Sequence, residues 1–68
     1  MLDYQRAIDD FTQAVSLDPN LGEAYYNRGL CAIYSKQVEE GIRDLSKAGE
    51  LGIYTAYSII KKYRNKTQ

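Results

Sequence analysis

The stretch YQRAIDDFTQAVSL at residues 4–17 returns 34 residues later as VEEGIRDLSKAGEL at residues 38–51. Ile8 falls on Ile42, Asp10 on Asp44, Phe11 on Leu45, Thr12 on Ser46, Ala14 on Ala48 and Leu17 on Leu51, and the small Ala7 falls on the small Gly41. Self-similarity at a fixed spacing marks a repeat architecture, in which each unit buries its apolar face against its neighbour. Within the first copy, Tyr4, Ala7, Ile8, Phe11, Ala14 and Val15 recur at three- and four-residue spacing, while Asp3, Arg6, Asp9, Asp10 and Gln13 take the other side. That is the stripe of an amphipathic helix, and no strand-like alternation competes with it.

Working outward, Asp18-Pro19-Asn20 ends this first helix in a turn. Asn20 and Glu23 then stand at capping-box spacing, which predicts a second helix over 22–34. Two apolar sides mark that helix: Tyr25, Gly29 and Ala32 on one, Tyr26, Leu30, Ile33 and Tyr34 on the other. A helix apolar over most of its circumference is packed on two sides or offers one of them to a partner. After Ser35-Lys36-Gln37 a third helix is expected over 38–51, with Glu39 and Glu40 favourably placed in its first turn. Gly52 is placed to cap its C-terminus. A fourth helix is expected from Tyr54 to about Arg64, burying Ala56, Tyr57 and Ile60, with 65–68 fraying. Shifting by 32 residues superposes Ala24-Tyr25 on Ala56-Tyr57, so the fourth helix repeats the second. Four helices joined by short connections predict an all-α antiparallel array.

Composition narrows the function classes. The chain has 68 residues, nine basic, nine acidic and no histidine. One cysteine, Cys31, precludes an internal disulfide, and without histidine a zinc site is not expected. An unpaired thiol is more in keeping with a reducing, cytoplasmic compartment. No apolar run reaches the length of a membrane span. The carboxylate pairs Asp9-Asp10 and Glu39-Glu40 are adjacent in sequence and diverge on a helix. With no histidine to serve as base, enzyme chemistry is not expected and no cofactor is implied. The zero net charge is a cancellation: residues 1–50 carry nine acids and five bases, net −4, and residues 51–68 carry four bases, net +4.

Ala24-Tyr25-Tyr26-Asn27-Arg28-Gly29-Leu30 resembles the start of the first helix of a tetratricopeptide repeat. Tyr4-Gln5-Arg6-Ala7-Ile8, with Phe11, Ala14 and Leu17-Asp18-Pro19, resembles a second helix of that family, whose period is 34 residues. The resemblance implies a helix-turn-helix solenoid divided as 1–21, the second helix of one repeat with its turn; 22–52, a complete repeat; and 53–68, a capping helix. The short Leu51-Gly52 connection is similar to the Sel1-like variant. Gly41 departs from the family's alanine, at an expected cost of roughly 1 kcal/mol in helix propensity. Lys61 and Lys62 answer Gly29 and Leu30, giving the last helix a polar cap face. Because the pattern starts in mid-repeat, either a longer array or self-association is expected to complete it.

The resemblance also implies the function, a non-catalytic protein–protein interaction module. In the family, first helices line a groove that binds peptide segments, which nominates Glu23, Tyr26, Asn27, Leu30, Ile33 and Tyr34, with Lys62 and Lys66 on the fourth helix attracting an acidic residue. Asn27 matches one residue of a carboxylate clamp found in chaperone-binding members, but Thr55 and Ile59 stand where its basic residues would be, so a clamp is not expected. Two alternatives are self-association through the unpaired face of the first helix, burying Ile8 or Phe11, and contact of Lys61, Lys62, Arg64 and Lys66 with an acidic partner or nucleic acid. Zero net charge argues against bulk nucleic-acid binding.

Overall fold

The computed structural model describes residues 3–66 as four helices: α1, Tyr4–Leu17; α2, Gly22–Tyr34; α3, Val38–Glu50; and α4, Thr55–Lys66. Among the described residues there is no strand. Helix α1 packs on α2, α2 on α3, and α3 on α4, and the chain forms a slab of 35 × 30 × 16 Å. Packing between sequence neighbours in a single sheet of helices is the geometry of a helical repeat rather than of a closed bundle. Thr67 and Gln68, where fraying was expected, lie outside the described residues, and α4 continues two residues beyond the expected Arg64.

Local chemistry sets the boundaries. Asp3 caps α1, its side chain accepting the Arg6 N–H at 3.0 Å. At the other end Asp18 is extended, and its carboxylate accepts the Asn20 N–H at 3.1 Å, which tightens the turn around Pro19. The Asn20–Glu23 capping box does not form: Leu21 is the N-cap of α2 and no side chain caps it. Asn20 is held inside the Asp18 turn, and the helix begins one residue later than the box requires.

Helices α2 and α3 end in the same way. Lys36 N–H donates to the Ile33 carbonyl and Gln37 N–H to Ala32, while Gly52 N–H donates to Gly49 and Ile53 N–H to Ala48. Both are Schellman endings with a left-handed residue just past the cap. That residue is Gly52 at φ 104° after α3, as the sequence predicts, but Lys36 at φ 69° after α2. A side chain in this region costs roughly 1–2 kcal/mol.

The core joins three helices: Ile33 of α2, Leu45 and Ala48 of α3, and Ala56 and Ile60 of α4. Leu45, Ala48 and Ala56 are fully buried. Close approach of α2 and α3 rests on glycine. A Cβ built on Gly29 would lie 2.9 Å from the Gly41 carbonyl oxygen, and one on Gly41 would lie 2.7 Å from the Gly29 carbonyl oxygen. Gly41 is therefore a packing residue, and the propensity argument that counts it as a weakness omits the contact it allows. Gly49 plays a similar part for α4, since the Tyr57 ring lies over it. Tyr57 is half-exposed rather than buried as expected, covering α3 with one side of its ring.

Candidate functional site: the outer face of α2

Helix α2 has neighbours on two sides, α1 and α3, so one stripe is left outward. Glu23, Asn27, Leu30 and Tyr34 recur at four-, three- and four-residue spacing and occupy it. Glu23 and Asn27 are exposed, Leu30 is half-buried, and Tyr34 is 53% exposed. Tyr26 sits on the flank of the stripe towards α4, half-buried against the core, with Ile59 and Tyr63 of α4 against the same cluster.

Ile33 requires a correction. It was nominated as a surface residue, but only 6% of it is exposed, within the cluster that includes Ala56 and Ile60. The reason is geometric: seven residues after Tyr26 it points down beneath α4, and helical spacing alone does not say which flank α4 will cover. Lys62 is exposed on α4, its Nζ 6.0 Å from the centroid of the Tyr63 ring. Lys66 is the last residue of α4, and its side chain lies outside the described part. Glu23, Tyr26, Asn27, Leu30 and Tyr34 thus share one region of α2, and Lys62 stands on the neighbouring element of the core.

One residue was missed. The Tyr4 ring of α1 lies 5.7 Å from that of Tyr34, tilted by 48°, within the range of a favourable aromatic pair. Its position on the apolar stripe of α1 reads as core, and only the crossing of α1 on α2 brings it to Tyr34.

Arg28 locks the platform from behind. Its Nε and one terminal nitrogen donate to the two Asp44 oxygens at 2.8 and 2.9 Å, its other terminal nitrogen donates to Thr12 Oγ1 at 3.2 Å, and its guanidinium carbon lies 5.5 Å from the centre of the Tyr25 ring. One side chain therefore ties α1, α2 and α3. The hydrogen bond to Asp44 holds the Arg28 pKa above its ordinary value, against the opposing effect of burial. The stem of Arg28 is part-buried while its head meets a carboxylate, as its long amphipathic side chain allows. Cys31 is half-buried, and desolvation pushes its thiol pKa up, away from the reactive thiolate.

Concavities lie elsewhere. A cleft of about 310 Å³ between α1 and α3 includes Ile8, Thr12, Arg28, Arg43 and Asp44, and a shallow hollow of about 750 Å³ surrounds the α2–α3 turn. Among the described residues no cluster of His, Cys, Asp or Glu could hold a metal ion, and no helix is long and apolar enough to cross a membrane.

A sequential slab of antiparallel helices with a 34-residue internal repeat defines an all-α helical-repeat protein. The chain is 44% identical over 45 residues to the DnaJ homolog subfamily C member 7 homolog of Dictyostelium discoideum, a match that covers 66% of this chain and 8% of that protein. It is 41% identical over 49 residues to the heat shock protein sti1 homolog of Schizosaccharomyces pombe, covering 72% of this chain and again 8% of the relative. These likenesses and the helix pairing support the tetratricopeptide resemblance; neither bears on the Sel1-like reading of the Leu51-Gly52 junction. No family model matches the chain, and no solved structure matches it.

Proposed function

We propose that this chain is a non-catalytic protein–protein interaction module that binds a peptide or helix along the outer face of α2, beside α4. The observation that carries the reading is Tyr34, half-exposed on a helix whose other sides are packed, in line with Leu30, Asn27 and Glu23. A large aromatic ring on a rigid element is a good anchor, because few rotatable bonds are immobilised on binding. Tyr4 extends the aromatic surface towards α1, and Tyr26 with Ile59 and Tyr63 supports it towards α4. Lys62 supplies positive charge on that side, which favours a segment carrying an acidic residue next to an apolar one. Helix-in-groove and extended-peptide recognition both use such a surface.

The test is an immobilised library of short peptides, acidic, basic and neutral, each with and without an aromatic residue. Acidic aromatic peptides should bind the chain, with binding lost on Tyr34→Ala and weakened on Lys62→Glu, while circular dichroism shows the helices intact. Equal binding by wild type and Tyr34→Ala, or no preference for acidic peptides, refutes the reading.

A further inference from the structure

A second site lies on the side of α2 that carries Arg28. The cleft of about 310 Å³ between α1 and α3 has α2 as its floor, so helices already packed on one another form all of it. Ala32 of the floor is buried and Ile8 on the α1 wall is half-buried, which gives the cleft an apolar base. The polar groups beside them satisfy one another. Arg28 and Asp44 form their bidentate pair, and the Thr12 hydroxyl donates to the Ile8 carbonyl at 2.7 Å while accepting from Arg28. Two opposite charges are left over on the α3 wall. Glu40 and Arg43 are exposed, line the cleft and have no ion-pair partner among the described residues. Three residues apart on one helix, their side chains start about 5–6 Å from each other, close enough to share one small ligand.

Size and charge decide what fits. One turn of an α-helix, about 10 Å across and about 5 Å high, occupies roughly 400 Å³, so the cleft admits a small molecule or a chain end but not a helix. A simple anion meets Arg43 but faces Glu40, and a simple cation meets Glu40 but faces Arg43. Only a ligand with both charges close together suits both. We infer that the cleft binds a free α-amino acid with an aliphatic side chain. Its carboxylate meets Arg43 and the N–H groups that Arg28 keeps after its bonds to Asp44 and Thr12. Its ammonium meets Glu40 and the amide oxygen of Gln37, whose Nε2 donates to Ser35 Oγ. Its side chain covers Ile8 and Ala32. Small-molecule sites combine an apolar lining with a few convergent polar groups in this way, and 310 Å³ is near the lower limit of their size, as suits so small a ligand.

The experiment titrates L-leucine into the full isotope-labelled chain and follows the amide resonances. Shifts are expected at Ala32, Gln37, Glu40 and Arg43, with a dissociation constant on the order of 1 mM, the range open to a ligand of this size. N-acetyl-leucine keeps only the carboxylate and imitates the C-terminus of a peptide, and leucinamide keeps only the ammonium and imitates an N-terminus. Each should bind about fivefold or more weakly than leucine, the consequence of losing one exposed charge pair. Glycine should also bind more weakly, since it leaves Ile8 and Ala32 uncovered. Glu40→Gln and Arg43→Gln should each weaken leucine binding by about fivefold with circular dichroism unchanged, both residues being exposed. Any of four results overturns the inference: no shifts at the solubility limit of leucine, shifts centred on the outer face of α2, equal affinity for leucine and either blocked form, or equal affinity of the wild type and both variants.

Discussion

Replacing Gly41 by alanine should destabilise this protein, although helix propensity alone predicts the reverse. Propensity favours alanine over glycine in a helix interior by about 1 kcal/mol. Against this, the new Cβ would sit 2.7 Å from the Gly29 carbonyl oxygen and press on Ile33 Cγ1. An ordinary carbon-to-oxygen contact is about 3.3 Å, so α2 and α3 must part by about half an ångström. Overpacking of this kind costs about 1–3 kcal/mol, and the opposing atom is backbone that cannot rotate away, which selects the upper half of that range. The separation also loosens Leu45 and Ile33 at the centre of the core. The net loss is about 1–2 kcal/mol, against a total stability of roughly 3–10 kcal/mol for a chain of this size. In a thermal melt followed by far-ultraviolet circular dichroism, the midpoint should fall by about 5–15 °C. Ala7→Gly, at the matching position of α1, should also lower the midpoint, through helix propensity. A Gly41→Ala midpoint at or above that of the wild type would refute the packing argument.

Arg28→Ala removes the fork on Asp44 and the bond to Thr12 together, leaving a carboxylate with only 16% of its side chain exposed and no cation; a loss of about 2–3 kcal/mol is expected in urea denaturation, between the values for exposed and fully buried pairs. Arg28→Lys should recover only a minor part, because an ammonium cannot span both carboxylate oxygens. Lys36→Gly should stabilise the chain by about 0.5–1 kcal/mol in the same assay, the relief at φ 69° being partly offset by the greater freedom of glycine in the unfolded chain.

The helices and their order were legible because the determinants are local. Alternation of Tyr4, Ala7, Ile8, Phe11, Ala14 and Val15 at helical spacing fixes a stripe whatever it packs against, and Asp18-Pro19 stops the helix by its own backbone chemistry. Capping was less legible. Asn20 could cap α2 or bond within the Asp18 turn, and the two options differ by a shift of one residue that side-chain identity does not reveal. The ending of α2 was hidden for another reason: Lys36 adopts a conformation that glycine usually marks, and it is held there by the backbone bonds of Lys36 and Gln37 back to α2.

The site divides along the same line. Periodicity places Glu23, Asn27, Leu30 and Tyr34 on one stripe, and that needs no neighbour. Which flank of the stripe lies in the core depends on where α4 crosses, and that crossing buries Ile33, leaves Tyr26 half-covered and, at the α1 side, adds Tyr4. Sequence by itself determined the all-α class, the 34-residue repeat and the polar and apolar faces of each helix, because these follow from spacing along one chain. Tertiary structure decided that Gly41 is a contact and that Arg28 ties three helices, because these depend on distances between helices, which spacing along the chain does not contain.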